Sequence, residues 1–262
     1  VDLRDLHSFP TRRSSDLTVK KLLSNIRSIA RFMETQSLQS IRHMKTKHVL
    51  KYFDYQKQRG LSASALQNHA TAMRTLAQAI GKQNIMPRTN RELGIVRTGR
   101  YNPKTTDPAR QEQLRDALYQ KHPALGVAHD LRTAFGLRAQ ESITARVVNP
   151  SGEELIRVTG KGGRVREVPV NTVEKSMALL AFKQFTKEQG TPGVIPANMT
   201  LKQFYTYQKN VVYRAASTKE SKSNMHLLRH QHAQNMKRDG KTDKEIAEEL
   251  GHWREESARH YK

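Results

Sequence analysis

Three short segments near the C-terminus decide how the whole chain is interpreted: MHLLRH at residues 225–230, LGH at residues 250–252, and Tyr261 as the last residue but one. Their histidine, arginine and tyrosine side chains can converge on a single anionic group. A tyrosine hydroxyl forms a covalent intermediate only where other groups withdraw charge from its target and accept its proton. The segments therefore predict an anion-binding site that is completed by residues earlier in the chain.

Length and composition restrict the class of protein. A chain of 262 residues can form one or two domains with a sizeable core. Hydrophobic residues make up 36%, and no apolar run approaches the roughly 18 residues that a membrane helix needs. The absence of cysteine excludes disulfides and thiolate metal sites and is compatible with a reducing cytoplasm. We therefore expect no membrane partner.

The charge of the chain indicates a polyanionic partner. There are 46 Lys and Arg residues against 24 Asp and Glu, which gives a net charge of +22. Residues 17–106 hold 17 basic and three acidic residues, a balance of +14. Such an excess favours binding to nucleic acid. A generically solvated basic surface remains the alternative.

The first 17 residues, VDLRDLHSFPTRRSSDL, differ from the rest of the chain. They show no sustained helical period, and Pro10, Ser14 and Ser15 interrupt any continuation. The run resembles a translated sequencing adapter, and a disordered basic tail is the alternative. We expect residues 1–17 to be non-native or disordered and assign them no function.

Residues 18–100 predict a helical DNA-binding domain. Apolar residues recur at three- and four-residue spacing from Thr18, a second helix begins near Thr46, and Ser62 is placed to cap a third that runs to Ile80. Amide and basic side chains on exposed helical faces are suited to contacts with bases and phosphates, although a solvated face is the alternative. The candidate DNA-binding residues are Lys20, Lys21, Gln67, Asn68, Thr71 and Arg74.

A linker at residues 101–106 leads into a predicted catalytic domain of residues 107–262. Asp107-Pro108 is a helix start, and further helices are predicted from Pro123, over 171–188 and 201–216, and from Met225. Residues 154–159 and 164–170 predict a hairpin around Gly160-Lys161-Gly162-Gly163. The fold class is therefore mainly α with a small β-hairpin or sheet, in two domains.

The residues suited to a phosphate site are two arginines, a lysine, two histidines and a tyrosine: Arg138, Lys161, His226, Arg229, His252 and Tyr261. Guanidinium groups hold phosphate oxygens by bidentate hydrogen bonds, which an ammonium does less well. A lysine on a turn can protonate a leaving oxygen, and histidines can take or share the proton of the nucleophile. A tyrosine, with a pKa of about 10, becomes a competent nucleophile among such charges.

Each residue also has an interpretation without catalysis. Arg138 could be a surface ion-pair partner of Glu141, Lys161 a solvated turn residue, and Tyr261 an aromatic anchor for a last helix. The four-residue spacing of His226 and His230 occurs in zinc sites. However, the position after His226 is not Glu, and an arginine within the spacing would repel a cation. We expect no metal and no cofactor.

The motifs occur in a characteristic order: Gly136-Leu137-Arg138-x-x-Glu141, the glycine-flanked lysine, His226-x-Leu228-Arg229-His230, Leu250-Gly251-His252, and a tyrosine nine positions after that histidine. Order and spacing over residues 107–262 resemble the tyrosine recombinase (phage integrase) family. The basic helical region before them is similar to the core-binding domain of that family, and the remainder to its mixed α/β catalytic domain.

The resemblance implies a role for each residue. Tyr261 would attack a DNA phosphate and form a 3′-phosphotyrosyl bond, while Arg138 and Arg229 would clamp the phosphate. Lys161 would be the general acid for the departing 5′-oxygen. The histidines would act as base or proton shuttle (His226) and as hydrogen-bond donor to the transition state (His252). Glu141 and His230 match positions that support the site. Arginine and lysine would supply the positive charge, so the strand transferase would need no metal.

Partners and alternatives follow from the same resemblance. It implies double-stranded DNA, a homotetramer on two DNA sites, accessory DNA-bending proteins, and a place at the nucleoid in the bacterial cytoplasm, as for the integrase of a mobile element. Family members commonly continue beyond the tyrosine into a tail that docks on a neighbouring protomer, so we expect a truncated sequence. A type IB-like topoisomerase and a catalytically weak DNA-binding relic remain alternatives.

Overall fold

The computed structural model describes residues 16–96, 107–160, 162–216 and 225–252. The contacts between residues divide the chain into two compact units, Val1–Gly99 and Arg100–Lys262. The described residues are mostly helical, with one small antiparallel sheet in the second unit. The prediction of a mainly α fold with a small sheet is confirmed. The predicted linker at 101–106 lies outside the described residues, as do residues 1–15 of the N-terminal run.

The described residues of the first unit form three α-helices around one apolar core. They are α1 (Asp16–Thr35), α2 (Thr46–Gln58) and α3 (Ala63–Ala79), with short 3₁₀ turns at Ile41–His43 and Gln83–Ile85. The Ser62 hydroxyl accepts a hydrogen bond from the Ala65 N–H at 3.3 Å, which satisfies one of the amides at the start of α3. The buried side chains that join the helices include Ile29, Met33, Val49, Phe53, Met73 and Leu76.

The second unit is built around a buried helix, α5. Its helices are α4 (Pro108–Lys121), α5 (Pro123–Phe135), α6 (Ala139–Thr144), α7 (Val173–Gln189), α8 (Leu201–Ala216), α9 (Leu227–Arg238) and α10 (Asp243–Leu250). α5 packs against α4, α7 and α9. Most of its apolar side chains are buried, and Leu125, Leu131 and Phe135 are fully so. The C-terminal end of α5 therefore sets the position at which the next segment, which carries Arg138, begins.

The sheet has three antiparallel strands in the order β1 (Arg146–Val148), β2 (Leu155–Thr159) and β3 (Val165–Pro169). β2 and β3 form the predicted hairpin, with Ile156 opposite Val168 and Val158 opposite Arg166. Directly opposed residues share a face of the sheet, so Arg166 lies on the same face as buried apolar residues. β1 was not predicted, because three residues give too short a pattern to recognise.

Two features of the second unit differ from expectation. α9 begins at Leu227, so His226 precedes the helix predicted to start at Met225. The unpredicted α6 is six residues long, and it begins directly after Arg138. None of the helices in the described part of the chain combines the length and apolarity needed to cross a membrane.

Candidate active site

The Glu141 cluster consists of Glu141 and the three arginines around it, Arg138, Arg166 and Arg229. Glu141 Oε1 accepts from Arg138 Nη1 at 2.6 Å, and both carboxylate oxygens accept from Arg166 at 3.1 and 2.9 Å. Arg229 Nη1 lies 3.8 Å from Glu141 Oε2. Three guanidiniums around one carboxylate leave a net positive charge, which suits an anionic ligand.

Glu141 remains ionised despite its burial. Its side chain is 2% exposed. Burial alone would raise the pKa of Glu141, but the hydrogen bonds and charge of Arg166, together with the bonds from Arg138, outweigh it and hold the pKa at about 2. The Arg138 backbone N–H also donates to Glu141 Oε2 at 2.9 Å, so the carboxylate caps the start of α6. Glu141 therefore orients Arg138 through both its backbone and its side chain.

Arg138 is held at the surface end of this cluster. Its side chain is 34% exposed, and its Nη1 is held by Glu141. The preceding turn depends on Gly136, whose φ of +59° ends α5. A Cβ there would lie 2.6 Å from His232 Cδ2 and 2.8 Å from Leu250 Cδ2, so no larger residue fits. The turn therefore places Arg138 at the start of α6 with its side chain partly exposed.

Arg229 links the two halves of the site. It is completely buried, Nη1 donates to the Gly136 carbonyl at 2.8 Å, and Nη2 donates to the Leu250 carbonyl. One side chain on α9 therefore contacts both the turn before Arg138 and the end of α10. The sequence predicted that Arg229 and Arg138 lie in the same site, and the structure brings them together around Glu141.

His252 lies directly after α10 on the same side of the unit. Gly251 closes α10 with a φ of +62°, and the His252 N–H donates to the Ala247 carbonyl at 2.8 Å. Burial first, and then the charges of Arg229, Arg138 and Arg166, lower the pKa of His252 to about 4. The ring is therefore neutral at pH 7, and it can donate one hydrogen bond and accept another.

The other two predicted histidines pack against each other at the start of α9. His226 is exposed, and its ring centroid lies 5.0 Å from that of His230 at an interplanar angle of 87°. The charge of His226 is also among the causes that lower the pKa of His252. The structure therefore places His226 near His252, and its catalytic role stays a prediction.

Lys161 and Tyr261 lie outside the described residues, but the residues on either side of Lys161 are described. The Gly160 N–H donates to the Arg164 carbonyl at 2.6 Å, and the Gly163 N–H donates to Gly160 at 3.2 Å. A Cβ on Gly160 would lie 3.3 Å from Glu141 Oε1. The residue that precedes Lys161 is therefore in contact with the Glu141 cluster.

Four supporting residues were not predicted: Arg166, Lys175, His232 and Glu249. Glu249 on α10 is 3.0 Å from Lys175 Nζ and 2.7 Å from His232 Nε2. Strand alternation offered a signal for Arg166, since it shares a face with buried Val168. No comparable pattern marked the other three, because their contacts depend on how α7, α9 and α10 pack.

The predicted DNA-binding residues lie in the first unit. Lys20, Lys21 and Thr71 are exposed, while Gln67, Asn68 and Arg74 are partly exposed. Asn68 Nδ2 donates to the Ser64 carbonyl at 3.0 Å and Thr71 Oγ1 to the Gln67 carbonyl at 3.1 Å, so both also bond their own helix. The opposite face of α3 is buried and includes Leu66, Ala70, Met73, Leu76 and Ala77. Contact with DNA stays a prediction.

A cavity of about 680 Å³ lies elsewhere in the second unit, beside α7. Its lining includes Arg115, Asp130, Lys175 and Glu249, which carry charges of both signs. None of the predicted catalytic residues is among the described residues that line it. The cavity and the Glu141 cluster are therefore separate features that share only the Glu249 end of α10.

Solved structures of three DNA recombinases and integrases have the same fold as this chain. A lambda integrase (75–356) dimer bound to a COC′ core site gives a TM-score of 0.67 at 16% identity, over 96% of this chain and 90% of that one. XerH site-specific recombinase bound to a palindromic difH substrate gives a TM-score of 0.64 at 18% identity, and the match covers 87% of this chain and 71% of that one. The Tn1549 transposon integrase in complex with transposon right end DNA gives a TM-score of 0.62 at 18% identity, and the match covers 98% of this chain and 92% of that one.

Family models account for both units. The model of the phage integrase family matches residues 106–262, and that of the phage integrase N-terminal region matches residues 6–86. The second match begins within the run that was expected to be non-native. No curated protein matches the chain. Since the first match covers more than half of the sequence, and includes Arg138, Arg229, His252 and Tyr261, the chain belongs to the phage integrase family.

Proposed function

We propose that the protein is a site-specific DNA recombinase or integrase that cleaves and rejoins DNA through a 3′-phosphotyrosyl bond to Tyr261. The observation that carries this proposal is the Glu141 cluster. Arg138 is partly exposed, Arg229 is buried, and both are fixed around one ionised carboxylate, with His252 close enough for their charges to lower its pKa. The net positive charge is already oriented before a phosphate binds, which is what electrostatic stabilisation of a phosphoryl transition state requires.

In the proposed reaction the Tyr261 oxygen forms a bond to the scissile phosphorus as the bond to the 5′-oxygen breaks. His226 takes the phenolic proton or shares it in a hydrogen bond. Lys161 gives a proton to the departing 5′-oxygen. Arg138 holds the non-bridging oxygens, while Arg229 adds its positive charge from the buried side of the cluster. The neutral ring of His252 donates a hydrogen bond to one of these oxygens. Attack by a 5′-hydroxyl reverses each step, so rejoining needs no nucleotide cofactor.

The same proposal assigns functions to the units. Residues 18–100 form the DNA-binding domain, 101–106 the linker and 107–262 the catalytic domain. Arginine and lysine supply the charge at the phosphate, so the reaction is independent of metal ions. Double-stranded DNA is the substrate, and a homotetramer on two sites carries out the exchange at the bacterial nucleoid, with accessory DNA-bending proteins where the site requires them.

A covalent-capture selection tests the proposal. Purified protein is incubated with nicked duplexes that have a randomised core, and DNA that stays attached after denaturation is sequenced. Captured sequences that converge on one site support a site-specific recombinase. Adducts without convergence, together with relaxation of any supercoiled plasmid, would instead indicate a topoisomerase. Salt-sensitive binding without any adduct would indicate a DNA-binding relic.

A further inference from the structure

Arg166 on β3 connects the two halves of the candidate site. Its Nη1 and Nη2 donate to the two carboxylate oxygens of Glu141 at 3.1 and 2.9 Å, and its Nε donates to the Glu249 carbonyl at 3.0 Å. One guanidinium therefore contacts both the carboxylate that holds Arg138 and the end of α10 that leads to His252. Its side chain is only 14% exposed, so the group is directed at the protein rather than at solvent.

The backbone before His252 lies directly against Arg166. A Cβ added to Gly251 would lie 2.9 Å from both Cδ and Nη1 of Arg166, so that glycine leaves the space which the arginine side chain fills. Gly251 also has a φ of +62°, a conformation that other residues rarely adopt. The path of the chain into His252 is thus set by contact with Arg166 as well as by the end of α10.

The position of Arg166 is itself fixed by the sheet. It lies opposite Val158 in the β2–β3 ladder, and the neighbouring pair on the same face, Ile156 and Val168, is fully buried. Arg157, by contrast, is paired with Glu167 at 2.6 Å on the exposed face of the same strands. The hairpin that carries Lys161 therefore also carries the group that links Glu141 to α10.

We propose that Arg166 is a positioning residue for strand transfer. The planar guanidinium of Arg166 holds the Glu141 carboxylate and the Glu249–Gly251 backbone at the same time. It thereby fixes the separation between the Arg138 guanidinium and the His252 ring. It acts through Glu141 and the backbone and does not contact the DNA phosphate. This inference rests on the proposed function, because the site being positioned is the one that transfers the phosphoryl group.

The test compares Arg166→Gln and Arg166→Lys with the control Arg157→Gln, which removes an arginine and an ion pair from the exposed face of the same hairpin. DNA selected by the wild-type protein is the substrate, and binding and adduct formation are measured separately. DNA affinity should stay within about twofold in all variants, since no phosphate contact is removed. The single-turnover rate should fall by up to about 100-fold in Arg166→Gln, because a misplacement of about 1 Å among the reacting groups has an effect of that size.

The lysine variant separates positioning from simple charge. An ammonium cannot hold both oxygens of Glu141 and the Glu249 carbonyl in one plane, so Arg166→Lys should also be slow while DNA affinity is kept. Arg157→Gln should react at the wild-type rate. Thermal unfolding midpoints show whether each variant is folded at the assay temperature. If Arg166→Gln does not fold, the comparison of Arg166→Lys with Arg157→Gln decides the question.

Two measurements on the DNA-free protein complete the test. The pKa of the His252 ring, followed by NMR, should rise in Arg166→Gln because one nearby positive charge is lost, and amide exchange at Gly251 and His252 should accelerate. A wild-type rate in the Arg166 variants, or a parallel loss of DNA affinity and rate, would overturn the inference while leaving the proposed function intact. Failure of the wild-type protein to form any adduct would instead overturn the proposed function.

Discussion

Glu141 provides the negative charge around which three arginines are arranged. If it is replaced by Ala, Arg229 and Arg166 keep their burial but lose their counter-charge. Removal of one partner from a buried ion pair is strongly destabilising, so Glu141→Ala should lower the free energy of unfolding by about 3 kcal/mol. The control is Glu167→Ala, whose carboxylate pairs with the half-exposed Arg157 and should cost about 1 kcal/mol or less.

Urea unfolding followed by the fluorescence of the single tryptophan, Trp253, measures both variants. If Glu141→Ala and Glu167→Ala lowered the free energy of unfolding equally, the Glu141 cluster would contribute no more to stability than a surface ion pair.

The pKa of His252 makes stability depend on pH in a defined direction. The folded-state pKa is about 4 and the ordinary value is 6.5, so the folded protein binds fewer protons between these two pH values. The resulting stability is fully present above about pH 6.5 and is lost as the pH falls towards 4. His129, with a pKa lowered to about 3 by burial, contributes in the same direction.

A His252→Gln variant isolates the contribution of His252. Between pH 4 and 6.5, the urea midpoint should depend less steeply on pH in the variant than in the wild-type protein. Parallel curves would mean that the pKa of His252 is the same in the folded and unfolded protein.

At the scale of elements, the Glu249 side chain joins α10 to Lys175 on α7 and His232 on α9. Lys175 on α7 is 3% exposed and lies 3.0 Å from Glu249. Lys175→Met would leave Glu249 with His232 as its remaining described partner, and amide exchange in α10 should accelerate at least about tenfold, corresponding to about 1.4 kcal/mol of local stability.

Lys183→Met is the matched control, since Lys183 lies on the same helix but forms an exposed ion pair with Glu154. Amide exchange in α10 of the Lys183→Met variant should be as slow as in the wild-type protein. Acceleration in both variants would mean that the effect comes from α7 as a whole.

The elements that could be predicted are those whose ends are set by local chemistry. Ser62 and Asp107-Pro108 each start a helix as expected. The Ser62 and Asp107 side chains accept hydrogen bonds from backbone N–H groups of the first turn, and the proline ring has the backbone angle that a first turn requires. β1 was too short to recognise. The contacts from Arg166 to Glu141 and from Lys175 to Glu249 join residues far apart in the sequence, so no local pattern reveals them. The sequence therefore offered candidate site residues but gave no sign of the contacts that support them.

At the scale of the whole molecule, the charge of +22 should make DNA binding strongly dependent on salt. If Arg74 on α3 contacts a phosphate, Arg74→Gln should reduce the slope of log affinity against log salt concentration by about 1. Lys57→Gln is the control, because Asp54 at 3.1 Å already offsets the charge of Lys57. Titrations of labelled duplex at several salt concentrations give the slopes, and an unchanged slope for Arg74→Gln would remove that residue from the DNA-binding face.

The central claim is that Tyr261 is the residue to which DNA becomes attached. The chain has eight tyrosines, and Tyr213, which is 68% exposed on α8, provides a matched control in the same unit. The most direct measurement is mass spectrometry of the peptides from a trapped protein–DNA adduct. We predict a 3′-phosphonucleotide on the peptide that carries Tyr261, with no adduct from Tyr261→Phe and a normal yield from Tyr213→Phe. An adduct on any other residue, or one that persists in Tyr261→Phe, would contradict the account.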